Sequence, residues 1–344
     1  MIDIMLACPL EDGQSGTFIQ ETLLDKDHRV AIFDWRKHGR KLGLPKMNEE
    51  FIKAHKDLKP ELTIIIKGGG ITAASIKKIK TFHKGKIVCW IFDVTLMGAY
   101  ITEMPKYLDF IKEMDIFYTI DADAVPELNK LGVNCKWLPQ GFFEPLYKEQ
   151  VLNFMQKKRF GADVSFIGTI GSFHPEREKF LRRLHEEGFL FKIFGEVLYP
   201  EGTEPDWVSE HHTGYAVKND MHSVVVGASK ISIGLDGWPH RDKSYSIRLY
   251  KTLGANGFYL MNHTKNVEEC FKPGIHLDTF KNEDEMVEKI IKYLDDDKLR
   301  EKIAKAGQKE VLKNHTQAIV MDKLLKSVSE LTEKSKDLNT STNI

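Results

Sequence analysis

No apolar stretch in this chain reaches the roughly 18 residues needed to cross a bilayer. The amino-terminal segment also lacks the basic and apolar regions of a secretory signal, so a cytosolic protein is expected. Cysteine is scarce. Cys8, Cys89, Cys135 and Cys270 are scattered, with no paired spacing for a zinc site or a redox dithiol. Cys8 and Cys89 sit in apolar strand-like runs and read as buried free thiols in a reducing compartment. Charge of one sign is missing too, with 50 Lys and Arg against 50 Asp and Glu. No global field therefore draws the protein to nucleic acid or an anionic membrane, although a local patch such as Lys157-Lys158-Arg159 remains. There is no GxGxxG fingerprint, which argues against a nicotinamide-dependent oxidoreductase. Short-period internal repeats are absent as well.

What is present is an alternation. Apolar content of 42% and charge of 29% over 344 residues describe a globular protein long enough for two cores. Buried-strand patterns recur at 1–7, 30–33, 62–66, 87–92, 116–120 and 132–138, with helical stretches among them. Residues 151–160 are polar and basic and read as a connector. The pattern then restarts with a strand at 163–167, a glycine loop at 168–171 and a helix from 177, followed by a strand at 190–194 and a long loop over 196–212. Helices are expected over 286–294, 297–313 and 316–331, before a frayed polar tail at 333–344. Strands alternating with helices at this spacing predict an α/β protein. Two Rossmann-like domains, 1–155 and 156–313, would carry parallel sheets facing across a cleft.

The stretch 236–261 organises the chemistry. A strand at 231–235 runs into a polar loop, Ser244 or Ser246 can cap the next helix, and Arg248 falls in its first turn. A guanidinium beside free helix N–H groups suits phosphate oxygens, while a surface arginine is the competing reading. Lys251 lies three residues on, on the same face. Gly168 and Thr169 follow a strand and precede a helix, which suits backbone contact with a diphosphate or makes an ordinary turn. Gly13 and Gly16 permit the same close approach at the first helix start. Asp93 ends a central strand and can deprotonate an acceptor hydroxyl or cap the next helix. Asp121-Ala122-Asp123 reads as a decoy of a metal motif, and His211-His212 as loop without a third ligand. The run Asp295-Asp296-Asp297 reads as a solvated helix start.

Several stretches, in order, resemble the CgeB-like (spore maturation) branch of the group 1 glycosyltransferases. They are Trp90-Ile91-Phe92-Asp93, Leu138-Pro139-Gln140-Gly141, Asp163-Val164-Ser165-Phe166-Ile167-Gly168 and Ile193-Phe194-Gly195. Ser246-x-Arg248-x-Tyr250, Asn256-Gly257 and His315-Thr316 complete the set, so the likeness covers roughly residues 87–325. The resemblance implies a GT-B fold whose C-terminal helix, 314–332, crosses back to the first domain. It implies metal-independent sugar transfer from a nucleotide-sugar donor, with no cofactor. Donor contacts would come from Gly168, Thr169, Tyr215, Ser246, Arg248 and Lys251, and a core tyrosine is the other reading of Tyr215. The acceptor would be a glycan, a protein, a small molecule or a modified DNA base. One departure stands out: Lys251 follows the aromatic of the Ser-x-Arg motif, where the family carries an acid that bonds donor ribose. A charged lysine accepts no hydrogen bond. It keeps open a non-catalytic binding protein on the same scaffold.

Overall fold

The computed structural model describes residues 1–10, 15–92, 105–172, 174–215, 217–235 and 245–341. The chain divides into two compact units, one of residues 1–140 with 317–344, the other of residues 141–316. Two parallel sheets, of six and five strands, each sit between helices.

In the first unit the strands are β1 (Asp3–Ala7), β2 (Arg29–Phe33), β3 (Leu62–Ile66), β4 (Lys86–Ile91), β5 (Ile116–Thr119) and β6 (Cys135–Trp137), in the order β2-β1-β3-β4-β5-β6. Every residue of β3, LTIII, is buried, as a central parallel strand covered on both faces requires. Side chains alternate between two cores. Met5, Ile65, Cys89, Ile91 and Phe117 face one. Leu6, Ile64, Ile66, Val88, Trp90 and Tyr118 face the other, which the helix Gln317–Ser341 closes with Val320, Met321, Leu324 and Val328. The Tyr118 hydroxyl bonds the Ser327 hydroxyl, and Lys26 pairs with Asp322 at 2.7 Å. This helix runs on through Ser341, into the stretch read as a frayed tail, because neither Gly nor Pro interrupts residues 317–341.

The second unit contains β7 (Val164–Ile167), β9 (Phe191–Phe194), β11 (Ile231–Gly234), β12 (Tyr259–Asn262) and β13 (Asp278–Phe280), ordered β13-β12-β11-β7-β9. A small pair, β8 (Ile170–Gly171) with β10 (Val197–Leu198), lies beside it. The connector at 151–160 belongs to this unit and holds a helix, Phe154–Phe160. Asn153 and Gln156 form a reciprocal capping box there, a signal already present in the sequence. The loop read at 196–212 likewise contains β10 and the helix Asp206–His211, whose Trp207 and Val208 are buried. Among the described residues no helix is long and apolar enough to cross a membrane.

Candidate functional site

In the second sheet the chain runs from β7 outward to β9, then returns to lay β11 on the other side of β7. The carboxyl ends of β7 and β11 therefore flank a topological switch point, where open α/β sheets bind ligands. Residues from four segments meet there. Arg248 opens the helix Arg248–Gly254 and donates from Nη1 to the Ile167 carbonyl at 2.7 Å. Its Nε and its backbone N–H both donate to Ser246 Oγ, each at 3.2 Å. Ser246 thus takes a first-turn amide and steers the guanidinium with one oxygen.

Gly168 makes the arrangement possible. A Cβ at that position would lie 2.1 Å from Arg248 Nη1 and 2.9 Å from the Phe166 ring. Behind it, Gly195 at φ +150° lets the chain pass so close that a Cβ would sit 2.2 Å from the Gly168 carbonyl oxygen. Bare backbone on both sides lets the turn after β7 take the Arg248 guanidinium on one side and the Gly195 turn on the other.

Arg177, in the helix Pro175–Glu186, completes the turn. Its Nη1 donates to the Thr169 carbonyl at 2.6 Å and its Nε to the Leu235 carbonyl at 3.2 Å, tying the ends of β7 and β11 together. Arg248 and Arg177 both lie over the Phe166 ring, at 5.6 and 5.9 Å from its centroid. Beside them, His174 bonds Glu176 Oε1 at 3.2 Å. Burial and the Arg177 charge hold the His174 imidazole below its ordinary range, with Glu176 pulling the other way. Sequence reasoning passed over Arg177 and His174. The local signal, a proline opening a helix two residues before an arginine, is weak, and Arg177's partners are carbonyls that no sequence pattern marks.

Lys251 lies one turn on from Arg248, its ammonium 4.4 Å from the Tyr147 ring centroid. Enclosure and then the Arg248 charge lower its pKa to about 8. Next to it, the buried His222 meets Thr252 Oγ1 at 3.2 Å. Burial first, then the Lys251 and Arg248 charges, keep that ring neutral at pH 7. Positive charge is concentrated here.

Of the other expected residues, some lie outside the described ones. Gly13 and Asp93 lie outside the described residues, as does 236–244 of the organising stretch. Gly16 belongs to the first unit, where its missing Cβ leaves room for Pro9 O and Cys8 Sγ, at 2.6 and 2.7 Å from the position it would take. Tyr215 is 47% exposed, which excludes the core reading. Its hydroxyl bonds Arg159, whose guanidinium stacks 4.9 Å from the ring centroid. Asp121 is buried and accepts the Asp123 amide at 3.0 Å, so the acidic triplet makes a local turn. Asp296 caps the helix Asp297–Asn314 by accepting from the Leu299 amide at 2.9 Å. His211 is the last residue of a helix rather than loop.

With this geometry in place, solved structures match over nearly the whole chain. HepE from Anabaena, in complex with UDP and glucose, superposes with a TM-score of 0.65 at 11% identity, covering 96% of this chain and all of that one. Sucrose-phosphate synthase from Thermosynechococcus elongatus gives 0.68 at 10% identity, again over 96% of this chain and all of that one. A glycosyltransferase from Rickettsia africae gives 0.63 at 10% identity, over 96% and 98%. At such identities the likeness is one of fold. The chain has the GT-B fold. Residues 177–326 also match the family described as glycosyl transferase-like. That match starts at Arg177 and takes in Arg248 and Lys251. No curated protein sequence matches the chain.

Proposed function

We propose that this protein is a glycosyltransferase that moves a sugar from a nucleotide-sugar donor, of the UDP-sugar class, to an acceptor hydroxyl. The observation that carries the reading is the pair Arg248 and Arg177 closing on the glycine turn at the β7–β11 switch point. The glycosyl transferase-like match over residues 177–326 supports it, and so does the fold shared with HepE, solved with UDP, glucose and UDP-glucose. CgeB-like specificity, a cytosolic setting and an acceptor among glycans, proteins, small molecules or modified DNA bases belong to the same proposal.

In this reading the diphosphate lies against Gly168 and Thr169, with Arg248 as the main fork and Lys251 as a second charge. Ser246 acts through Arg248 by fixing its rotamer. The acceptor oxygen forms a bond to the anomeric carbon as the bond from that carbon to the diphosphate oxygen breaks. The hydroxyl proton passes to Asp93, and the nucleoside diphosphate departs with the electron pair. Positive groups already aligned on the leaving phosphates stabilise the charge that builds there, without a metal. Tyr215, exposed beside Arg159, offers a ring face to the donor base.

The direct test is release of nucleoside diphosphate from a panel of nucleotide sugars with acceptors, after a thermal-shift screen has picked the donor. A raised melting temperature without turnover on any acceptor class would favour the second reading, a nucleotide-sugar-binding protein. Lys251 in place of the ribose-binding acid is what motivates that alternative. No shift with any nucleotide sugar would overturn both.

A further inference from the structure

Away from the residues used above, the helix Pro175–Glu186 ends beside the helix Asp206–His211 and brings three potential ligands together. The ligand atoms of His185, Glu210 and His211 all lie within 4.8 Å of one another. His185 Nδ1 is 3.0 Å from His211 Nε2 and 3.7 Å from Glu210 Oε2. Ligands on a tetrahedral zinc, with bonds near 2.0–2.1 Å, stand roughly 3.3 Å apart, close to the two spacings from His185.

The His211 ring is fixed from two sides. Its plane stacks on Phe191, centroids 3.7 Å apart, and its Nδ1 meets the Phe191 carbonyl at 3.2 Å. A carbonyl only accepts, so Nδ1 carries the proton and the Nε2 lone pair points at His185. Metal-bound histidines have this arrangement, in which the far nitrogen's bond sets the tautomer. Without metal, His185 Nδ1–H donates to that lone pair; a cation would take both nitrogens as this proton moves, through water, to His185 Nε2.

We propose that His185, Glu210 and His211 bind a divalent cation of the zinc class, with water completing the coordination, and that the ion clamps the two helices together. Two imidazoles and one carboxylate favour zinc over magnesium or calcium, which prefer all-oxygen shells. The clamp bears on the sugar-nucleotide turn through one neighbour: His212, next in sequence, bonds the Gly195 carbonyl at 3.0 Å, and Gly195 backs the Gly168 turn.

The experiment uses untagged full-length protein stripped with a chelator and titrated with Zn2+ against a chromophoric competitor, and separately with Co2+. Expected are one Zn2+ per chain, tetrahedral d–d absorption from Co2+, a higher melting temperature, and no competition from Mg2+. His185→Gln and Glu210→Gln, both at accessible side chains, should each weaken Zn2+ binding at least about 10-fold. Their metal-free melting temperatures should match the parent's. Absence of saturable one-per-chain binding, or binding undiminished in both variants, would overturn the proposal. Nucleotide-sugar turnover is not part of the readout, so this test and that of the donor site fail independently.

Discussion

Each unit of this protein contains a parallel sheet with one reversal of strand order, and the two reversals are furnished differently. In the second unit the ends of β7 and β11 are crossed by Arg248 and Arg177, with Lys251 and His174 beside them. In the first, β1 and β3 flank the reversal, and beyond β3 lies a cavity of about 900 Å3 lined chiefly by Leu44, Ile71, Tyr107 and Phe110, with Asn48 among them. There the Tyr107 hydroxyl donates to the Lys67 carbonyl at 3.1 Å, and Trp35 donates to Ile66. One end is wired with guanidinium groups to backbone carbonyls; at the other, a phenol and an indole bond the carbonyls beside a largely apolar hollow that Lys106 and Asp109 also line. The same topology thus carries a pair of guanidinium groups at one reversal and an apolar hollow at the other. Chemistry follows the side chains set at the strand ends, not the sheet.

That contrast can be broken by substitution. The largest effect should come from Arg248→Ala, which should lower kcat/KM for the donor by about 2–4 kcal/mol in transition-state stabilisation, with donor affinity falling too. Steady-state kinetics and calorimetric donor binding check this, and unchanged values would return Arg248 to a structural role. Next is Gly168→Ala. Its methyl group would occupy the place of Arg248 Nη1, so donor affinity should drop by about 2 kcal/mol while the unit stays folded. Circular dichroism alongside calorimetry separates the two effects. Arg177→Ala should cost about 1–2 kcal/mol of donor affinity and loosen the turn, visible as faster amide exchange at 167–169.

Lys251 sharpens the comparison through pH. With a pKa of about 8, its charge is present at pH 7 and lost as pH rises through 8, so donor affinity should fall by a few-fold over that interval. Lys251→Met should flatten the profile. Stability should move the opposite way: the unfolded lysine keeps its proton up to its ordinary pKa near 10.4, so folding is favoured as pH climbs from 8 toward that value. Lys251→Glu should repel the diphosphate if the lysine contacts it, and leave affinity equal or better if the site only lost a ribose contact. The smallest effect is expected in the first unit. Tyr107→Phe should leave donor affinity within about twofold, since the proposed donor contacts, Arg248 and Lys251, belong to the other unit.

The fold was readable because its decisive elements are local. The runs over 62–66 and 164–167 are short and largely apolar and have a glycine within two residues of their ends, which is enough to place parallel strands. The proposed donor site was half readable. Arg248 was found from a strand, a polar loop and a serine, whereas Arg177 escaped because what it binds, the carbonyls of Thr169 and Leu235, leaves no imprint on residue identity. Tyr215 had two readings in the sequence, and its exposure beside Arg159 removes the core one. The helix Phe154–Phe160 was missed despite its capping box because a basic surface helix has little apolar periodicity to announce it. His211 was set aside because its partner His185 stands 26 positions away, a distance only the folded chain closes.

The helix Gln317–Ser341 has a consequence for how the protein is made. The apolar face formed by Leu6, Ile64, Val88 and Trp90 emerges from the ribosome early, but Val320, Met321 and Leu324, which cover it, are translated after the whole of the other unit. At ordinary elongation rates the interval is on the order of ten to thirty seconds. Residues 141–316, an uninterrupted segment, can reach their native state within that window, while the earlier-born unit must wait with one side of its sheet covered only in part, by Ile19 and Leu23 of the helix Ser15–Asp25. Of the two units, the one synthesised earlier is thus the later to finish folding, and during that interval it is the more exposed to aggregation and the more dependent on a chaperone.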